Sequence, residues 1–254
     1  MVITSSANAV FKNIMKLKNR KYRDKLGVFI AEGVRFVSEI PEEVEIDEYI
    51  VSEGFNGKLR EGVRVYALSE NLFKQISDTE SPQGVIAVCK KTDLFGSDIY
   101  GDNNGLFIIA EEINDPGNLG TIIRTADAFG AKAVLLSKGS VDLYNSKVLR
   151  STMGSVFHLP ILTDVDIKEV TDDMKKRGIK IYAAHLKGEK MPSQIDLNKG
   201  SAFIFGNEAR GLKDETADLC DEYIKIPMTG RAESLNLSVA ASVLMYESLR
   251  QRMK

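Results

Sequence analysis

Three observations predict an α/β protein in two parts. Short apolar runs of strand length alternate with segments of helical period along most of the chain. A polar, turn-rich stretch at residues 90–105 interrupts that alternation. Charge is uneven as well: the first 26 residues hold five Lys and two Arg against one acid, although the 254-residue chain has a net charge of -2. The expectation is a smaller α/β domain over 1–95, a linker over 96–105, and a larger α/β domain over 106–254 built on a mainly parallel sheet.

The elements follow in order. Val10, Phe11, Ile14 and Leu17 fall on one side of a helix, with Ser5, Ser6 or Asn8 as its cap and Lys12, Lys16 and Lys18 turned to solvent. Lys21, Arg23 and Lys25 lead into a strand at 27–31, and a second helix starts after Gly33. Residues 39–48 hold six acids and no base, so this stretch should turn away from any phosphate. Strands are expected at 48–51, 63–67 and 84–89, with a short helix at 71–77. Beyond the linker, strands are expected at 106–110, 132–136, 157–161, 180–184, 201–205 and 223–226, and helices at 119–129, 147–153, 167–177 and 237–251.

Composition excludes several function classes. Two cysteines without a CxxC spacing and two histidines give too few ligands for a structural zinc site or a disulfide scaffold. No apolar run approaches the roughly 20 residues of a membrane span, and the opening residues lack a leader-like apolar core. A cytoplasmic protein without a metal or a membrane partner is expected. The glycine-rich and histidine signatures of dehydrogenases, NTPases, zinc proteases and serine hydrolases are absent. His158 and His185 sit near apolar strands with no acid partner close in sequence, and a structural role is favoured for both.

Three loops stand out. In the first, Asn114-Asp115-Pro116-Gly117-Asn118-Leu119-Gly120 runs from a strand end into a helix. A helix N-terminus there offers free amides to an anionic or hydroxylated ligand. Arg124 lies off the apolar stripe of that helix; the bland alternative is an exposed arginine paired with Asp127 three residues on. In the second, an apolar strand ends in Gly206-Asn207-Glu208-Ala209-Arg210-Gly211, at the kind of strand terminus where ligands gather in open α/β sheets. In the third, Ile226-Pro227-Met228 precedes Ser234-Leu235-Asn236-Leu237-Ser238, which crowds polar side chains at the start of an apolar helix. One cap accounts for one of these polar groups, not for all three.

Taken in order, these loops resemble the motifs of the SpoU branch of the SPOUT RNA ribose methyltransferases. The likeness covers about residues 106–247, with Arg150-Ser151-Thr152-Met153-Gly154-Ser155-Val156-Phe157 similar to the segment between the family's first two motifs. Residues 22–33 are more loosely similar to the ribosomal-protein-type RNA-binding domain that precedes many such enzymes. The motif positions agree, although Leu237 stands where valine is frequent.

The resemblance implies a C-terminal deep trefoil knot, an exception to the usual topology. It also implies S-adenosylmethionine held by Gly206, Ile226, Leu235 and neighbouring Met228, and transfer of its methyl group to a ribose 2'-hydroxyl of structured RNA. Arg124 matches the residue assigned to activating the hydroxyl, with Asn118, Glu208, Ser234 and Asn236 completing the site. Because a guanidinium has no acceptor, orienting the hydroxyl and stabilising developing charge suit Arg124 better than acting as a literal base. Lys12, Lys16, Lys18, Lys21, Arg23 and Arg150 are the expected RNA contacts. Family members are homodimers in which the arginine of one chain approaches the partner's cofactor, and the same is expected here. The N-terminal domain favours 23S ribosomal RNA as substrate. The alternatives are a tRNA 2'-O-methyltransferase, an inactive RNA-binding assembly factor, or an enzyme acting on a small molecule or protein.

Overall fold

The computed structural model of the chain describes residues 2–95, 99–101 and 103–253. They form two compact units, Met1–Leu94 with Tyr144–Phe157, and Phe95–Leu143 with His158–Lys254. Of the expected linker, Gly96, Ser97, Asp98 and Asp102 lie outside the described residues, whereas Ile99 is buried in the core of the second unit.

The first unit contains β1 (Val2–Ile3), α1 (Ala9–Leu17), α2 (Arg20–Leu26), β2 (Val28–Glu32), α3 (Val34–Ser38), β3 (Ile46–Ser52), β4 (Arg64–Leu68), α4 (Glu70–Ile76) and β5 (Val85–Lys90). Its sheet has the order β1-β4-β3-β5-β2, with β5 antiparallel to both neighbours and the other pairs parallel. Phe11, Ile14 and Leu17 of α1 bury against Ile50, Phe73 and Ile86, as the spacing predicts. The cap of α1 is Asn8, whose Oδ1 accepts from the Val10 amide at 2.8 Å. Sequence reading misses α2, because Arg23 is its one buried residue and no apolar stripe marks it. Phe29, Phe36 and Tyr49 form a second core together with Leu149 and Phe157 of the segment 144–157.

The second unit holds β6 (Leu106–Ala110), α5 (Pro116–Ala128) and β7 (Ala133–Ser137); helix α6 (Ser146–Thr152), next in the chain, belongs to the first unit. β8 (Ile161–Val165), α7 (Ile167–Lys176), β9 (Lys180–Ala184), β10 (Ser201–Phe205), α8 (Asp214–Ala217), β11 (Glu222–Ile224) and α9 (Leu237–Arg252) complete it. Its sheet has the order β11-β9-β10-β6-β7-β8, and every pairing is parallel. The strands Leu106–Ala110 and Ser201–Phe205 are buried at every residue, as unbroken apolar runs in a parallel sheet covered on both faces should be.

One expected strand is displaced. Residues 155–157 form a 3-10 turn, and the strand begins at Ile161. Gly154, at φ +96°, turns the chain, and Pro160 has no N–H to give a ladder. The apolar run Val156 to Leu162 therefore looks like a strand a few residues too early.

The strand order also fixes where a ligand can bind. From β6 the chain moves to β7 on one side, whereas from β10 it moves toward β11 on the other. The loops leaving two adjacent strands diverge and open a crevice at their carboxyl ends.

Candidate active site

Phe205 ends β10, and Gly206 begins the loop over the crevice. A Cβ at Gly206 would fall 2.2 Å from the Leu212 nitrogen and 2.3 Å from the Gly211 carbonyl carbon. Glycine is needed here because the loop folds back on itself. Asn207 seals the fold: its amide donates to the Gly211 carbonyl at 3.1 Å and the Gly211 amide returns the bond at 2.8 Å. Its side-chain oxygen accepts from the amides of Ala209 and Arg210, and its Nδ2 donates to the Glu112 carbonyl at 2.8 Å.

This hairpin aims Glu208 at the start of α5. Its carboxylate accepts from the Asn114 amide at 3.2 Å, the Asp115 amide at 3.1 Å and Asn118 Nδ2 at 3.1 Å. Burial pushes the carboxyl up, but hydrogen bonds from its own backbone, Asn118 and these amides hold it below the ordinary glutamate range. Glu208 thus braces the first loop. Arg210, two residues on, pairs with Glu112 at 2.8 Å. Asp115 caps α5, accepting from the Asn118 amide at 2.8 Å.

Asn236 joins the third loop to this pair. As the cap of α9 it accepts at Oδ1 from the Ser238 amide at 2.9 Å and Ser238 Oγ at 2.7 Å. Its Nδ2 is left to donate to Asn118 Oδ1 at 3.0 Å. Glu208, Asn118, Asn236 and Ser238 form one polar chain, which accounts for two of the three polar groups crowded before the last helix.

Above that chain lies a cleft of about 700 Å³. Gly206, Ile226, Met228 and Leu235 line it together with Asn118, Glu208, Ser234 and Asn236. Every residue expected at the cofactor, and every expected catalytic residue except Arg124, faces this one space. The profile of the SpoU rRNA Methylase family matches residues 105–246, the span that builds it. The chain belongs to the SpoU rRNA methylase family. A second profile, the MRM3-like substrate binding domain, matches residues 8–87. The 23S rRNA (guanosine(2553)-2'-O)-methyltransferase RlmP of Bacillus subtilis is 36% identical over 247 residues, covering 96% of this SpoU chain and 97% of its own. The crystal structure of an RNA 2'-O ribose methyltransferase matches with a TM-score of 0.88 at 33% identity, covering 100% of both chains. That of the SpoU methyltransferase AviRb from Streptomyces viridochromogenes, in complex with AdoMet, matches with a TM-score of 0.85 at 29% identity, covering 97% and 99%.

Two features of the SpoU site escape sequence reading. His185 lines the cleft, its ring tilted against Tyr223 at 5.3 Å and its Nδ1 accepting from the Lys187 amide at 3.1 Å. Glu111 and Glu112 follow β6: buried Glu111 accepts from the Lys213 amide and Thr216 Oγ1, while Glu112 pairs with Arg210 and Lys213. Both acids anchor the far side of the 206–212 loop, a long-range role that local spacing does not signal.

The remaining expected residues lie elsewhere. Arg124 is exposed on α5 and is not among the residues lining the cleft. In the first unit, Lys12, Lys16 and Lys21 are exposed. Lys18 pairs with Asp78 at 2.9 Å, and Arg150 lies 4.0 Å from buried Glu32. Arg23 requires correction: it is 7% exposed and donates through Nη1 to the carbonyls of Leu17 at 2.8 Å and Lys18 at 2.9 Å. Its charge closes the C-terminal end of α1 and is not available to a phosphate.

Proposed function

We infer that this protein transfers the methyl group of S-adenosylmethionine to a ribose 2'-hydroxyl of ribosomal RNA, with 23S rRNA as the substrate. The observation that carries the reading is the meeting of three loops, around Asn118, Glu208 and Asn236, in one cleft at a topological switch point. The cleft fits the donor. About 700 Å³ lies in the usual range for a small-molecule site, and Ile226, Met228 and Leu235 offer apolar walls to an adenine. Lys187 and Lys225 add positive charge suited to the carboxylate of the methionine part. Among the described residues no cluster of metal-ligating side chains is present, and the proposed reaction needs none. A likeness to RlmP along nearly the whole of both chains favours rRNA over tRNA.

Bound S-adenosylmethionine supplies an electrophilic methyl carbon. The protein's task is to hold the hydroxyl in line with it and to manage the proton that leaves. Glu208, Asn118 and Asn236 fix the loops, and Ser234 stands at the rim to meet the ribose. Arg124 orients the hydroxyl and stabilises charge developing on its oxygen. It acts from a second subunit. Val239, Val243 and Tyr246 form an exposed apolar stripe on α9, which packs on α5 through the Thr125–Ser242 hydrogen bond and the Phe129–Tyr246 ring contact. A homodimer sealed along this stripe carries Arg124 toward its partner's cleft. A trefoil threading of the C-terminal segment is part of the same reading.

The test uses labelled S-adenosylmethionine and deproteinised 23S rRNA, with ribose methylation mapped along the product. Label on a 2'-oxygen supports the reading, and none with either rRNA or tRNA sinks it. Sharing between subunits is tested with R124A chains mixed with L235W chains, whose cleft is filled. The mixed dimer should regain one working site; a wholly inactive mixture refutes the shared arrangement.

A further inference from the structure

Arg124 has one acid at helical spacing on its own helix, Asp127 at i+3. Such a pair normally forms on an exposed helix face. Here it does not. Asp127 Oδ2 lies 2.8 Å from Nδ1 of His158, and among the described residues the Arg124 side chain makes no ion pair or hydrogen bond. The histidine is well anchored for this: Leu159 beside it is buried, and the Pro160 carbonyl accepts from the Val134 amide at 3.0 Å. The ring therefore reaches α5 from a segment held on both sides, by the buried Leu159 and by the Pro160 backbone hydrogen bond that leads into β8.

We propose that His158 is a positioning residue that occupies Asp127 and so keeps the Arg124 guanidinium free for the RNA. The proposal rests on the methyltransferase reading for its benefit to catalysis, but the competition itself is a property of the free protein. A guanidinium paired with Asp127 would be drawn down its own helix and partly neutralised. Its donors would then be shared with a carboxylate when the ribose arrives. His158 removes that competitor without touching substrate or cofactor.

The experiment has two arms. Phenylglyoxal labelling of Arg124, read by mass spectrometry, reports whether the guanidinium is paired. Methyl transfer from S-adenosylmethionine to 23S rRNA reports turnover. For H158A, both the Arg124 labelling rate and kcat should fall about two-fold, the scale of a surface ion pair. H158N keeps a donor near the Nδ1 position and should behave as the unaltered protein. The decisive variant is H158A/D127N: with the competing carboxylate gone, labelling and kcat should return to the unaltered level. A purely structural pair predicts the reverse, a double variant no better than H158A. Unchanged labelling in H158A, or a double variant as slow as H158A, overturns the proposal. Should the unaltered protein transfer no methyl group, the functional reading fails, and the labelling arm still decides whether His158 frees Arg124.

Discussion

Asn236 Nδ2 donates to Asn118 Oδ1 at 3.0 Å, so the cap of one helix is hydrogen-bonded to the first turn of another. The two ends of the Asn236 amide do different work, and substitutions separate them. N236D retains an acceptor for the α9 amides but loses the donor. It should keep a near-normal Tm and lose S-adenosylmethionine affinity. N236A loses both and should also lower stability by about 1 kcal/mol. Thermal melts and calorimetric titration check the contrast.

Glu208 gives a pH prediction. Its folded-state carboxyl is held below the ordinary glutamate range, against the upward push of burial, by hydrogen bonds to the ionised form. Its stabilising contribution is therefore present above the unfolded pKa and lost as pH falls through the folded one. E208Q should abolish that acid-side dependence and lower the stability of the site at neutral pH. The measurement is Tm against pH from 3 to 7, on the order of the carboxylate titration range, for both proteins.

Gly206 tolerates no side chain. An alanine methyl would overlap the Gly211–Leu212 peptide, and opening the loop to make room should cost roughly 1–3 kcal/mol. G206A should lose donor binding while β6 and β10, on which the loop stands, keep their hydrogen-exchange protection.

The basic N-terminal residues should divide by burial. R23A removes two charge-assisted hydrogen bonds from α1 and should destabilise the first unit by roughly 2 kcal/mol. Neutralising exposed Lys12, Lys16 and Lys21 should leave Tm unchanged and flatten the salt dependence of rRNA binding.

Both cysteines should be unreactive in the folded chain. Burial pushes the thiols of Cys89 and Cys220 up to about 12, so almost no thiolate exists at neutral pH. Iodoacetamide should label them fast only after denaturation.

Much of this architecture was legible because period and composition are local. The runs LFIIA and SAFIF announce buried parallel strands, and the stripe of α1 is written in Phe11, Ile14 and Leu17. Glycines and prolines marked the loops that meet at the cleft. What the chain hides is partnership at a distance. Nothing near Asp127 in sequence points to His158, and nothing near Glu208 distinguishes Asn118 from Arg210 as its partner. Arg23 shows the same limit from the other side: a basic residue in a basic run reads as solvent-facing until the carbonyls it serves are seen. The helix around it escapes a sequence reading for a related reason, since an amphipathic signal needs apolar residues and α2 buries a charge instead.

The polar chain from Glu208 through Asn118 to Asn236 has a consequence for biosynthesis. A ribosome delivers its members in the order 118, 208, 236, so a nascent polypeptide owns both walls of the crevice before it owns the clasp between them. Until translation has passed Asn236, the pocket proposed for the methyl donor is incomplete, and the donor cannot serve as a template for the stages of folding that come before.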